Sequence, residues 1–154
     1  MSGLFTTEFI LRLIGSLVGT LAFAIIFNMR ARHLPFAGAC GMITYAIYHV
    51  CVFFGVSVFV AALGASAFTA LFSELCARVR KAPAVVFLIP GVIPIVPGGD
   101  LYHTMRCLLS NDMEGAFYNL GTALKVGVGI AGGIVAISVV FGLISGALAH
   151  NKSK

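Results

Sequence analysis

The sequence predicts an all-α integral membrane protein with about five transmembrane helices, the fourth broken by a proline- and glycine-rich segment. Three observations carry that prediction. Of the 154 residues, 60% are hydrophobic and only 10% charged, against about 25% charged in an ordinary soluble domain. A soluble chain of this size leaves about 30% of its unfolded surface in water, and ten Lys/Arg with five Asp/Glu are too few to coat it. The same hydrophobicity excludes a disordered chain. Second, charges and prolines cut the chain into apolar stretches long enough to cross a bilayer. Third, the basic residues gather at alternate breaks. The whole chain, 1–154, reads as a single transmembrane domain.

The first helix is expected at 9–29, ahead of Arg30-Ala31-Arg32-His33. Glu8 precedes it and Arg12 lies within it, where a secretory leader would have a basic start, so the helix reads as uncleaved. From Pro35 the chain runs to Glu74 without a charged residue. At about 1.5 Å per residue a span needs about 20 residues; this run is about twice that. It is therefore two helices, 34–54 and 56–76, folded back near Gly55. Arg78, Arg80 and Lys81 follow. The fourth helix, 82–109, contains Pro83, Pro90, Pro94 and Pro97 and is expected to break near 90–99. After Ser110-Asn111-Asp112-Met113-Glu114 the fifth helix, 115–149, has length to spare at its start.

Charge placement tests the count. Five crossings put Arg30, Arg32, Arg78, Arg80, Lys81, Lys152 and Lys154, seven of the ten basic residues, on one side. Glu8, Asp112 and Glu114 fall on the other. A four-helix chain would separate Arg30 and Arg32 from Arg78 and Lys81. The positive-inside rule then predicts an outside N-terminus and a cytoplasmic C-terminus. The net charge of +5 is thus a topology signal; with no dense Lys/Arg run it does not point to nucleic acid.

The glycines have helical logic. Gly15/Gly19, Gly129/Gly133 and Gly142/Gly146 are G-x-x-x-G pairs, which let helix backbones approach closely in lipid. More small surface than one bundle needs suggests other chains, including a higher oligomer. Gly127-x-Gly129-x-x-Gly132 spells a dinucleotide fingerprint, yet follows no strand and sits in a membrane run. Cys40, Cys51, Cys76 and Cys107 have no C-x-x-C spacing and no adjacent histidine, so no metal site is expected. No catalytic constellation and no cofactor motif is present.

The chemistry-bearing feature is Pro90-Gly91-Val92-Ile93-Pro94-Ile95-Val96-Pro97-Gly98-Gly99-Asp100. Each proline removes a backbone donor and clashes with the preceding turn. Freed backbone groups in hydrocarbon cost several kcal/mol each, so such a break persists only where protein or a watery cavity surrounds it. Broken helices of this kind hold substrates in many secondary transporters. Asp100 is expected to cap a helix after Gly99, with His103 and Arg106 following at three-residue steps on about one face. Pro90, Gly91, Pro94, Pro97, Gly98, Gly99, Asp100, His103 and Arg106 are therefore the candidate substrate pathway. Tyr48, His49 and Lys125 are secondary candidates, as polar groups within apolar runs. Arg12 reads as an interfacial anchor.

The stretches FAIIFNMRARHLPFAGACGMITYAIY and ELCARVRKAPAVVFLIPGVIPIVPGGDLYHTM resemble the threonine/serine exporter family, specifically the short membrane subunit of its split, two-component form. The most specific part is P-G-x-x-P-x-x-P-G at Pro90–Gly98, following a basic turn. The likeness covers about residues 9–148. It implies efflux of small amino acids, or of small dicarboxylates in some relatives, across the bacterial inner membrane, together with a larger membrane partner subunit. The chain then reads as one part of a secondary exporter, embedded in the lipid bilayer and acting on a small-molecule substrate. Two other readings stand beside it: a structural or assembly subunit without a substrate site, and a small membrane enzyme acting on lipid.

Overall fold

The computed structural model describes residues 7–152, with side chains through residue 143. The elements are α1 (Thr7–Ile26), α2 (Leu34–Phe53), α3 (Val58–Arg80), α4 (Val85–Val92), α5 (Gly98–Leu109) and α6 (Met113–Lys152). Short 3-10 turns precede α2 (Ala31–His33) and follow α4 (Ile93–Ile95). No strand occurs among the described residues. Among the described residues four helices are long and apolar enough to cross a membrane, and the pair Val85–Ile95 and Gly98–Leu109, bent by 46°, is long and apolar enough for a fifth when taken as one span. The expectations on Gly146, Lys152 and Lys154 fall outside the described residues and side chains.

Four helices stop in the same way. Asn28, Gly55, Lys81 and Asn111 all adopt left-handed backbone conformations, with φ of 55°, 79°, 50° and 56°. In each case the next residue's N–H reaches back to a carbonyl of the last turn: Met29 to Ala24, Val56 to Cys51, Ala82 to Ala77 and Asp112 to Cys107. This Schellman arrangement satisfies carbonyls that the helix end leaves orphaned. It also explains where the boundaries differ from expectation. Asn28 ends α1 at Ile26 rather than Met29, and α3 continues past residue 76 until Lys81 supplies the left-handed turn. Glycine and asparagine take that conformation readily; a lysine there costs about 1–2 kcal/mol.

The interior is inverted relative to a soluble protein. Small and hydroxylic side chains are buried (Ala24, Ala37, Ala61, Ala62, Ala65, Thr20, Thr44, Ser66, Thr69, Ser73) while Leu11, Ile25, Ile26, Val79 and many other large apolar residues are exposed. In lipid the outward face needs no polar cover, and close backbone approach supplies the cohesion.

The most extensive contact joins α3 and α6. A Cβ on Gly129 would lie 2.6 Å from the Phe59 carbonyl oxygen, and one on Gly133 would collide with the Leu63 carbonyl and Ser66 Oγ. Arg78 sits over the Phe141 ring, 5.0 Å from its centroid. Contacts thus advance together along both chains, so α3 and α6 run parallel. A parallel neighbour needs a return crossing, and α4 with α5 is that return. Gly15, Gly19 and Gly142 behave differently: a Cβ on any of them meets nothing within 4 Å. They make no close helix contact within this chain.

The seam sets the first test. Gly133→Ala is expected to lower stability by about 1–3 kcal/mol through overpacking. Gly142→Ala should leave it unchanged or raise it by up to about 1 kcal/mol. Thermal unfolding of the detergent-solubilised chain reads both.

Candidate functional site

The site is built where the broken span meets α1 and α2. Three X-Pro steps occur in the segment, but only the last opens the chain. Ile93, before Pro94, keeps right-handed helical geometry (φ −46°, ψ −44°). Val96, before Pro97, is extended (φ −62°, ψ 130°), as steric conflict with the proline ring favours. The break therefore lies at Val96–Pro97, narrower than the expected 90–99. Upstream, Pro90 stays inside α4 and Pro94 sits at the start of the 3-10 turn.

Gly91 is buried as a contact point, not as a lining residue. A Cβ there would lie 2.8 Å from both Cys40 Sγ and Thr69 Cγ2, so α4 can reach α2 and α3 only with glycine at this position. Beside it, Thr44 Oγ1 and Thr69 Oγ1 are 2.7 Å apart in full burial. Each is also 2.8 Å from its own helix carbonyl, at Cys40 and Ala65. Two hydroxyl protons serve three close oxygen pairs, so at any moment one of the three is without its hydrogen.

On the other side of this packed centre is an open recess of about 390 Å³ lined by Arg12, Gly15, Ser16, Tyr45 and Pro94. Its floor is low because Gly15 has no side chain. Ser16 Oγ donates to the Leu13 carbonyl at 2.7 Å, leaving its lone pairs as acceptors. Arg12 forms no ion pair among the described residues. Next to the recess, the Tyr45 and His49 rings lie 5.9 Å apart and Phe9 stacks at 4.9 Å from His49. His49 Nδ1 is buried without a hydrogen-bond partner. Tyr48 packs on the Ala65, Val92 and Ile95 cluster. A guanidinium, hydroxyls and an aromatic wall are the groups that hold a small zwitterion: a carboxylate to Arg12, polar atoms to hydroxyl oxygens.

The expected pathway residues separate into two groups. Pro94 lines the recess, and His49 lies close by, its ring against Tyr45. His103 and Arg106 are exposed on α5, which packs chiefly against α6, and His103 meets the Tyr102 ring at 5.4 Å. Lys125 is exposed on α6. Gly98 and Gly99 face open space. Asp100 does not cap α5: Pro97 holds that position and no side-chain cap bond forms. The helix begins three residues earlier than expected, because the glycines after Pro97 enter it. Asp100 instead stands in the first turn, where its charge suits the helix dipole.

Arg12, expected as an interfacial anchor, lines the recess, together with Ser16 and Tyr45, which were not among the expected pathway residues. A signal existed: Arg12, Ser16 and Thr20 are spaced i, i+4, i+8, a polar stripe on one face of α1. No group of three or more metal-ligating side chains occurs among the described residues.

A family model described as Threonine/Serine exporter, ThrE, matches residues 12–140. No curated protein and no solved structure matches the chain.

The hydroxyl pair generates a prediction of its own. Thr44→Val and Thr69→Val should each cost about 0.5–1.5 kcal/mol, and the double variant about their sum with little coupling, because two protons make two bonds and each substitution removes one of them. A double-mutant cycle on thermal or denaturant unfolding measures that coupling.

Proposed function

The chain belongs to the threonine/serine exporter family, and on that premise we propose that it is a membrane subunit of a secondary exporter of small amino acids, completed by a larger partner subunit. Threonine and serine are the first substrates to test, with small dicarboxylates second. The observation that carries the reading is the broken fourth span, opened at Val96–Pro97 beside a polar recess that holds Arg12. Irregular backbone at this depth fits a substrate path. The need for a partner is supported by Gly19 and Gly142, where an added Cβ would meet nothing within 4 Å in this chain, leaving backbone open to close approach by another helix.

In this reading Arg12 receives the substrate carboxylate, while Ser16 and Tyr45 offer oxygen atoms to its amino and hydroxyl groups. Pro94 forms the moving wall, and Asp100 with Tyr48 stands next along the path. His103, Arg106 and Lys125 then contribute, if at all, where the partner covers α5 and α6. The orientation follows the charges. Arg30, Arg32 and Lys81 meet at one end of the bundle, the end that the positive-inside rule assigns to the cytoplasm of a bacterial inner membrane, so the recess opens toward the outer half.

Cells expressing the chain with its larger partner are loaded with threonine, serine or succinate, and efflux is followed. Arg12→Gln is expected to reduce export about tenfold or more, the scale of one charge-assisted hydrogen bond. Gly15→Leu, which fills the recess from a position with open space around it, should do the same at unchanged abundance and pairing. His103→Ala and Arg106→Ala should retain most export. If both recess variants export normally while Gly142→Leu, at a position with nothing packed on it in this chain, abolishes pairing, the chain is an assembly subunit. If no larger helical subunit co-purifies, the two-subunit reading fails.

A further inference from the structure

At the end of the bundle opposite the recess, a cavity of about 290 Å³ is lined by Phe27, Met29, Arg30, Arg32, Lys81 and Val86, among others. Three cationic side chains converge there, drawn from the α1–α2 and α3–α4 connections, and no acidic residue lines it. Arg32 Nε donates to His33 Nε2 at 3.1 Å, and His33 is 3% exposed, so a buried ring fixes one guanidinium while four of its five N–H groups remain. Lys81 holds its place in a left-handed conformation, φ 50°, at a helix stop where glycine would sit without strain.

A second cavity, of about 150 Å³, adjoins it. Phe27, Met29 and Val86 line both, and Val85, Ile89 and Pro90 complete the second, which has no charged lining. A basic chamber opening into an apolar slot along a membrane helix matches an amphipathic anion. A free phosphate or a substrate carboxylate would use the chamber and leave the slot without purpose. We propose that this end of the bundle is a binding site for an anionic phospholipid: the headgroup phosphate lies between Arg30, Arg32 and Lys81, and an acyl chain runs along Val85, Val86 and Ile89 past Phe27. Basic pockets between helices at the cytoplasmic face bind such headgroups by the same chemistry. The site shares no lining residue with the recess, and the proposal does not rest on the substrate assigned there.

The test uses the full chain purified in non-ionic detergent and offered phosphatidylglycerol and phosphatidylcholine with matched acyl chains, bound lipid being counted by native mass spectrometry. Phosphatidylglycerol is expected to be retained at least severalfold over phosphatidylcholine, whose choline cancels its phosphate charge, and the preference should shrink as salt rises. Arg30→Gln with Lys81→Gly should lower that preference at least threefold. Lys81→Gly relieves a strained backbone, so thermal stability should hold or increase, which separates lost binding from lost fold. Ile89→Trp, filling the slot from a residue that does not line the basic chamber, should lower phosphatidylglycerol retention with the cations intact. Equal retention of the two lipids by the unaltered chain overturns the proposal, as does an undiminished preference in Arg30→Gln/Lys81→Gly or in Ile89→Trp. Inorganic phosphate that displaces phosphatidylglycerol at equal concentration would instead mark a site for free anions, and would equally overturn it.

Discussion

The parallel contact of α3 with α6 constrains everything else in this fold. Gly129 and Gly133 lay the α6 backbone directly on the α3 backbone at Phe59 and Leu63, and Ser66 Oγ reaches the Gly129 carbonyl at 3.4 Å. Helices joined by a short turn are antiparallel neighbours; a parallel pair requires the chain to recross the membrane between them. Only residues 81–112 are available for that crossing, and they include Pro83, Pro90, Pro94 and Pro97. The seam therefore places the least helix-compatible stretch of the sequence inside the bundle.

What makes that tolerable is enclosure. Pro90 and Gly91 are buried, against α2 and α3, and Gly91 admits Cys40 and Thr69 where any side chain would be excluded. Most of the buried hydroxyls in this core have an acceptor on their own helix: Thr20 on Ser16, Thr44 on Cys40, Thr69 on Ala65, with Thr44 and Thr69 also meeting each other. These bonds ask nothing of α4, so α4 can sit among α1, α2 and α3 without matching polar groups of its own. Much of the cost of burying oxygen is met locally, within each helix.

The spans were legible in the sequence because hydropathy and charge act over a single segment. Arg30 and Arg32 belonged with Lys81, and the structure puts them on one cavity. The extended break was also legible, but its position was not. Three prolines each threaten the helix, and only packing decides which one opens it; Ile93 stays helical because the 3-10 turn is held against α1 and α2. The recess was the hardest to see. Arg12, Tyr45 and Pro94 are separated by tens of residues, and nothing local tells Arg12 from an interfacial anchor. Only the stripe Arg12, Ser16, Thr20 hinted that α1 turns a polar face inward. Gly15 misled in the opposite sense, since its spacing from Gly19 reads as packing while its open surroundings make it the floor of a recess.

The joint at Val96–Pro97 bears on how such a bundle can move. Leu101 N–H bonds to the Pro97 carbonyl, and Val96 N–H bonds to the Ile93 carbonyl; across the joint itself runs a tight turn bond, from Gly98 N–H to the Val96 carbonyl at 2.8 Å. A change of angle between α4 and α5 thus breaks no helical hydrogen bond, whereas bending α3 or α6 at the same depth would expose backbone groups at several kcal/mol each. Pro94 forms one wall of the recess from the α4 side, and Pro90 and Val86 line the cavities at the opposite end. One short rigid segment, about three turns long, therefore borders both ends of the bundle, and it is hinged where bending costs least. Any ligand that binds one end better in one tilt of that segment must, by linkage, bias what the other end presents.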